Sequence, residues 1–282
     1  MNKTLPLLLV LALAPAASLA QQNYSEVSKP IRIAAGSQTG HLQSVSGRIE
    51  IAEGARVRNV ESVSGRLQLA RHVEAQDVET VSGSIEVAEN ARVGKLESVS
   101  GDIMLAAHVR AGDVETVSGS ISAGTASQLG KLETVSGAVR LQGDNRSGKV
   151  ESVSGGIFIG SGSQVAGDVE TASGSIGLVR STVEGDVITY AGDVTVGIGT
   201  HVKGGLMVKK PEAVISVGSL RLDLGKQLRA RTPRIVIGPN AVVEGVLRFE
   251  HEVKLYVHET ARTGSIHGAT AVRFNTPTPP RD

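Results

Sequence analysis

A four-residue motif, Ser/Thr-Val-Ser-Gly, returns along the chain at an almost constant interval. Seven copies follow one another at 18-residue spacing, and two degenerate copies then end at Gly174 and Gly192. The glycines of the seven regular copies are Gly47, Gly65, Gly83, Gly101, Gly119, Gly137 and Gly155. A fixed period of this length is typical of a solenoid, in which each unit buries its apolar side chains only by stacking on its neighbours.

Each repeat unit reads as short strands joined by tight corners. In residues 97–114, Val99, Leu105 and Ala111 are six positions apart, which suggests three equivalent sides per unit. The units are rich in Val, Ile, Ser, Thr and Gly, a composition that favours strands over helices. The sequence therefore predicts an all-β fold, a parallel β-helix with about 18 residues per coil. Roughly thirteen coils at the strand spacing give a rod of about 60 Å.

Stacking of equivalent positions predicts columns of identical side chains along the rod. We expect the motif valines to form an internal stack. We expect the motif glycines to mark a corner where a side chain would collide or where φ must be positive. The valines of this expected stack are Val45, Val63, Val81, Val99, Val117, Val135 and Val153.

The chain divides into five predicted regions. Residues 1–20 have the pattern of a secretory signal, with Lys3, an apolar run over residues 5–13 and a cleavage point after Ala20. An uncleaved membrane anchor is the alternative. Solenoid coils are expected over residues 21–208 and 234–274, separated by an irregular basic insertion at 209–233. The proline-containing tail, 275–282, is expected to be disordered.

Composition limits the functions open to this chain. The absence of cysteine excludes disulfides, thiolate metal sites and a cysteine nucleophile. A net charge of +1 argues against a nucleic-acid partner, which requires a clustered basic surface. No segment after the signal is long enough to cross a bilayer. We therefore expect an exported protein that is periplasmic, secreted or on the cell surface.

Two blocks of the sequence resemble the repeat of bactofilins, which are polymer-forming bacterial cytoskeletal proteins. These are residues 235–245, Ile-Val-Ile-Gly-Pro-Asn-Ala-Val-Val-Glu-Gly, and residues 157–168, Ile-Phe-Ile-Gly-Ser-Gly-Ser-Gln-Val-Ala-Gly-Asp. The repeated Glu-Ser/Thr-Val-Ser-Gly-x-Ile is similar to an adhesin-like β-strand repeat family. The bactofilin resemblance implies a right-handed helix and filaments joined head to head or tail to tail. Typical bactofilins lack a cleavable signal, which is a difference from this chain.

The clearest surface feature is a column of carboxylates at 18-residue spacing. Its members are Glu61, Glu79, Glu97, Glu115, Glu133 and Glu151, with Glu170 one residue out of step. Two positions earlier lie Asn59, Asp77, Lys95, Asp113, Lys131, Lys149 and Asp168. This face either binds cations or a cationic polymer, or is a solvated surface copied with each duplication, in which the lysines relieve part of the repulsion.

Other polar columns have simpler interpretations. The Ser and Thr residues of the motif suggest an ice-binding array or, more simply, hydroxyls that cap backbone groups at a corner. His72 and His108 occupy equivalent positions and are expected to be exposed turn residues, because no histidine spacing fits a metal site. The basic insertion is either solvated or meets an anionic partner such as lipopolysaccharide or an acidic glycan. Its cations are Lys209, Lys210, Arg221, Lys226, Arg229 and Arg231.

Repetition argues against catalysis, because an active site needs one position that differs from its copies. We expect no catalytic residue, no bound metal and no cofactor. The hypothesis that the sequence favours is a non-enzymatic structural scaffold of the cell envelope. It is expected to associate end to end through strand edges near Ile31 and Ile33 or near Phe274. The alternatives are a surface adhesin or glycan-binding solenoid and, third, an enzyme that acts on envelope polysaccharide.

Overall fold

The computed structural model describes residues 22–210, 214–217, 220–223 and 232–280, with the backbone alone for 214–217 and 220–223. The predicted signal at 1–20 and residues 281–282 lie outside the described part. The described residues contain no helix, and their strands form three long parallel sheets and one hairpin. The predicted parallel β-solenoid with about 18 residues per coil is confirmed. Its handedness stays a prediction.

The coils build three sheets, here sheets A, B and C, and each of the 13 coils contributes one strand to sheet A and one to sheet B. Sheet A contains β1 (Tyr24–Glu26), β3 (Leu42–Ser44), β5 (Val60–Ser62), β8 (Val78–Thr80), β11 (Leu96–Ser98), β14 (Val114–Thr116), β17 (Leu132–Thr134), β20 (Val150–Ser152), β23 (Val169–Thr171), β26 (Val187–Thr189), β29 (Leu206–Val208), β34 (Leu247–Phe249) and β37 (Ile266–His267). The coils are numbered 1 to 13 by these strands.

Sheet B follows sheet A in every coil. It contains β2 (Ile31–Ile33), β4 (Ile49–Ile51), β6 (Leu67–Leu69), β9 (Ile85–Val87), β12 (Ile103–Leu105), β15 (Ile121–Ala123), β18 (Val139–Leu141), β21 (Ile157–Ile159), β24 (Ile176–Leu178), β27 (Val194–Val196), β32 (Arg234–Ile237), β35 (Lys254–His258) and β38 (Ala271–Phe274).

Sheet C closes coils 3 to 12 with one very short strand each, and isolated bridges at Gln38 and Arg56 extend it to coils 1 and 2. It contains β7 (Glu74–Ala75), β10 (Arg92–Val93), β13 (Arg110–Ala111), β16 (Gln128–Leu129), β19 (Arg146–Ser147), β22 (Gln164–Val165), β25 (Thr182–Val183), β28 (His201–Val202), β33 (Val242–Val243) and β36 (Arg262–Thr263). The three sides that the six-residue spacing predicted are therefore present.

Alternation along each strand decides which side chains enter the core. In sheet B the first and third residues point inward, as Ile103 and Leu105 do, while the middle residue, Met104, is 41% exposed. In sheet A the first residue, such as Leu96, is fully buried. Stacking these positions over successive coils produces one continuous aliphatic core, since period-two alternation places them all on the inner face.

The predicted internal valine stack is wrong for most of its members. Val45, Val63, Val81 and Val99 are 45–47% exposed, and only Val153, at 3%, is fully buried. The third residue of each sheet A strand is a buried Ser or Thr, for example Ser98, so the valine that follows it points outward. Val117 and Val135 are half-buried.

The motif glycines mark sites of close approach between coils. A Cβ built on Gly101 would overlap the carbonyl group of Gly83 in the preceding coil. The expected collision is thus confirmed, but the positive φ angles of the repeat lie in a different column, at the corner before sheet C, and Gly268 in the last coil is the one exception among the described residues. In the column before sheet C, His72 and His108 have φ of 58° and 59°, and both are exposed, as the sequence predicted.

Where a coil is longer than 18 residues, the extra residues lie at a corner, and the strand register of the sheets is unchanged. Ser147 pairs with Val165 after 18 residues, but Val150 pairs with Val169 after 19. The extra residue therefore lies in the corner between sheets C and A. Glu170, which looked out of step in the sequence, pairs in register with Glu151.

The basic insertion interrupts coil 11 between β29 and β32. Within it, β30 (Val214–Val217) and β31 (Leu220–Asp223) form an antiparallel hairpin. Arg221 lies in β31, whereas Lys226, Arg229 and Arg231 are outside the described residues. At the end of the chain, residues 275–280 have no regular secondary structure, and the expected disorder of this tail stays a prediction.

Two glycine substitutions separate close approach from backbone strain. We expect Gly101→Ala to lower the free energy of unfolding by about 3 kcal/mol or more, because its methyl group has no space beneath Gly83. Gly54→Ala, at φ 68° with open space around the Cβ, should cost about 1 kcal/mol. Urea unfolding of both variants measures the difference, and equal losses would contradict this account of the motif glycine.

A second pair of variants tests the corrected valine position. Leu96→Asn places an amide in the dry core and should destabilise the protein by several kcal/mol. Val99→Asn, three residues later on the exposed ridge, should change stability by less than about 1 kcal/mol. Thermal unfolding distinguishes the two. A large loss of stability in Val99→Asn would contradict the exposed position and support the internal valine stack.

Candidate functional site

The repeated glutamates form a column on the outer surface of sheet A. The glutamate column consists of Glu61, Glu79, Glu97, Glu115, Glu133, Glu151 and Glu170, each the middle residue of its strand. Each member pairs in register with its neighbours in the adjacent coils. Successive carboxylates are therefore held about one strand spacing, ~4.8 Å, apart.

Lysines two residues before the column place ammonium groups between its members. The Lys95 ammonium contacts Glu97 of its own coil and lies 3.4 Å from Glu115 of the next. Lys149 repeats the arrangement, contacting Glu151 and lying 3.2 Å from Glu170. An ammonium that bridges two stacked carboxylates offsets the like-charge repulsion that in-register stacking creates.

Four coils of the column lack this lysine and carry Asn59, Asp77, Asp113 or Asp168 in its place. The three aspartates are turned to the backbone of the next coil. Asp77 accepts the N–H of Lys95 at 3.1 Å, Asp113 that of Lys131 at 2.8 Å, and Asp168 that of Asp186 at 2.9 Å. Glu79 consequently faces other carboxylates without a neighbouring lysine of its own coil. Partial burial and the charges of Glu97, Glu61 and Asp77 raise the pKa of Glu79.

Further along the column, two neighbouring glutamates are buried, and the protonation of one depends on that of the other. Glu133 is 5% exposed and Glu151 is 7% exposed. Burial, followed by the hydrogen bond with Glu151, raises the pKa of Glu133 to about 7. Burial also opposes ionisation of Glu151, but hydrogen bonds from Glu133 and Lys149 outweigh it and lower the pKa of Glu151. One proton is therefore retained between the two carboxyl groups up to near-neutral pH.

A groove runs along the rod between the glutamate column and the exposed valines. We call Val45, Val63, Val81 and Val99 the valine ridge. The groove has a volume of about 750 Å³ and is lined by three residues from each of coils 1 to 7, at 25–27, 43–45, 61–63, 79–81, 97–99, 115–117 and 133–135. One wall is thus acidic and the other apolar.

The hydroxyl groups along the floor of this groove point inward and form hydrogen bonds with the backbone. Ser98 Oγ accepts the N–H of Gly101 at 2.8 Å, and Thr134 Oγ1 accepts the N–H of Gly137 at 3.0 Å. The same bond recurs along the column, for example at Thr189. The interpretation of these hydroxyls as caps of backbone groups at a corner is confirmed.

Sheet C carries a different, mainly basic surface. Glu74 is held between two arginines, Arg56 at 3.0 Å and Arg92 at 3.2 Å. Beside them, His72, His108 and other residues of four successive coils line a cleft of about 460 Å³. This surface was not singled out from the sequence, although the arginines at 18-residue spacing could have indicated it.

The interior also contains a polar column that the sequence reasoning missed. Asn145 is fully buried, and its Oδ1 accepts the backbone N–H of Ser127 at 2.9 Å. Ser163 Oγ in turn accepts the N–H of Asn145 and donates to the Gln142 carbonyl at 3.0 Å. These bonds link successive coils at the corner before sheet C, so their role is structural.

The remaining predicted site residues lie apart from the groove. Lys209 Nζ is 6.0 Å from the Tyr190 ring centre, and the backbone N–H of Lys210 donates to Glu250. Ile31, Ile33 and Phe274 have buried side chains at 3%, 4% and 6% exposure. End-to-end contact at these positions would therefore use the strand edges and not these side chains.

Phe274 packs edge-on against the ring of His258, with 5.0 Å between ring centres. Within the described residues, no group of three or more His, Asp or Glu side chains is arranged to hold a metal ion. The same residues include no helix that is long and apolar enough to span a bilayer.

No family model, curated protein or solved structure matches this chain. The resemblance to bactofilins and to adhesin-like repeats therefore stays a prediction.

The buried glutamate pair makes stability depend on pH in a defined direction. The folded Glu133 keeps its proton to about pH 7, whereas the ordinary value is 4.5, so the folded state binds more protons between those limits. Stability should therefore fall as pH rises through that window. Glu133→Gln should remove most of this slope in melting temperature between pH 5 and 8, whereas Glu97→Gln should keep it. If the slope is unchanged in Glu133→Gln, then other titrating groups cause the pH dependence.

Proposed function

We propose that this protein is a non-enzymatic, exported scaffold of the bacterial cell envelope that associates end to end. The observation that carries the proposal is the open edge at each end of the rod. Among the described strands, β2 pairs only with β4 and β38 pairs only with β35. An unpaired strand edge is a template for pairing with another chain.

Backbone geometry identifies the peptide groups that are presented at these ends. The N–H of Ile31 donates to Arg48 of the next coil, and N–H and C=O directions alternate along a parallel strand. The peptide groups of Arg32 therefore point out of the N-terminal end. By the same register, those of Ala271 and Arg273 point out of the C-terminal end.

The C-terminal edge is the better template of the two. Pro30 directly precedes β2, and a proline near an edge strand removes a donor and discourages pairing. β38 contains no proline, and its Val272 is 50% exposed. The tail does not continue the rod, because Arg234 of coil 11 donates a hydrogen bond to the carbonyl of Pro280. A twofold junction of two β38 edges is therefore the expected first contact.

A second candidate function is that of a surface adhesin or glycan-binding solenoid. The cleft beside sheet C supports it, since Arg92, Arg110 and the two histidines line one concave surface. Arginine recognises carboxylate and phosphate groups by paired hydrogen bonds. An acidic glycan is the class of ligand that this surface fits.

End-to-end association can be tested with a proline at the C-terminal edge. The purified protein should form dimers or longer rods at micromolar concentration, seen by sedimentation velocity and negative-stain microscopy. Ala271→Pro should reduce the association while leaving the melting temperature within a few degrees, because the N–H that it removes points outward. A protein that is monomeric across salt and pH would reject the scaffold and favour the glycan-binding candidate.

A further inference from the structure

We propose that the groove between the glutamate column and the valine ridge binds a linear alkyl polyamine. Its ammonium groups lie between stacked glutamates of coils 3 to 5, and its methylene groups lie on the valine ridge. This inference goes beyond the proposed scaffold and does not depend on end-to-end association.

The chain itself provides the template for an ammonium in this column. Lys95 and Lys149 each place an amine between the carboxylates of two successive coils, as described above. Hydrogen bonding to Glu97 and the nearby charge of Glu115 raise the pKa of Lys95, although burial opposes this. A primary amine at this position of the column is therefore held in its charged form.

At two successive coils of the glutamate column, the position that holds Lys95 in coil 5 has no lysine. Coil 3 carries Asn59 and coil 4 carries Asp77, so the chain supplies no ammonium between Glu61 and Glu79 or between Glu79 and Glu97. Gln43 donates to Glu61 at 3.1 Å, but an amide carries no charge. The vacancy lies in the part of the groove where Val63, Val81 and Val99 are each 45% exposed.

The dimensions of the groove favour an extended ligand. Seven coils cover roughly 29 Å along the rod. The groove, with a volume of about 750 Å³, follows that whole length. An extended alkyl chain can therefore lie along it and contact several coils in succession.

The spacing of the carboxylates distinguishes a polyamine from an extended peptide. Amines joined by three methylene groups are about 5 Å apart when extended, since four single bonds of ~1.5 Å separate them. This distance matches the ~4.8 Å repeat of the column. Side chains on one face of an extended peptide recur every ~6.7 Å and lose register after one coil.

The valine ridge supplies the second half of the recognition. Val63 and Val81 stand two residues beyond Glu61 and Glu79, so each carboxylate has an apolar neighbour across the groove. Methylene groups that cover these valines remove apolar surface from water, which an inorganic cation cannot do. A divalent metal ion is thus expected to bind more weakly than a polyamine of equal charge.

Titration calorimetry at low ionic strength tests the spacing of the charges. 1,3-Diaminopropane, whose two ammonium groups are ~5 Å apart, should bind at least tenfold more tightly than 1,7-diaminoheptane, which has the same charge but places its ammonium groups ~10 Å apart. Mg²⁺ serves as the control for simple counterion binding. Equal affinities for the two amines, or equal competition by Mg²⁺, would overturn the proposal.

Variants at the lysine position decide where the amine binds. Asp77→Lys copies coil 5 into coil 4, so it should fold normally and reduce polyamine affinity at least tenfold by filling the vacancy. Glu79→Gln should also weaken binding, whereas Glu74→Gln on sheet C should not. Thermal unfolding checks that each variant is folded. Unchanged affinity in a folded Asp77→Lys protein would exclude this site.

Discussion

The structure depends on hydrogen bonding between the backbones of successive coils in register. Every strand of the three main sheets pairs in parallel with the equivalent strand of the neighbouring coil. This stacking brings the motif glycines so close that Gly101 has no room for a side chain under Gly83. It also places the motif hydroxyls, such as Ser98 Oγ, where they accept a backbone N–H at the corner. A change in one inner coil therefore disturbs its contacts with two neighbours.

In-register stacking has an electrostatic consequence, because any charged position becomes a column of like charges. The chain reduces the repulsion in two ways. Lys95 and Lys149 place ammonium groups between carboxylates, and the buried Glu133 and Glu151 retain a proton between them. Coils 3 and 4 have neither arrangement. Where the fold leaves such repulsion unrelieved, a cationic ligand gains the most from binding.

The same stacking tolerates irregularity only at corners. One extra residue before Val169 is absorbed between sheets, and the insertion at 209–233 leaves the rod between β29 and β32. In both places the strands resume in register, since a shift of one residue would turn the inward side chains of the strand outward. Because coils of unequal length keep one register, the rod presents continuous surfaces, and its first and last described strands each have an unpaired edge.

The sequence by itself determined the period, the parallel stack and the glutamate column, since equivalent positions of an 18-residue repeat must align. It did not determine which motif residues face the core. Val99 is as apolar as Leu96, but Ser98 between them points inward to bond Gly101, and this reverses the position of the valine. Likewise, only the tertiary structure brings Lys95 between Glu97 and Glu115 and opens a groove beside the valine ridge. Residue identities repeat along the chain, but the direction of each side chain is set by where the backbone turns its corners.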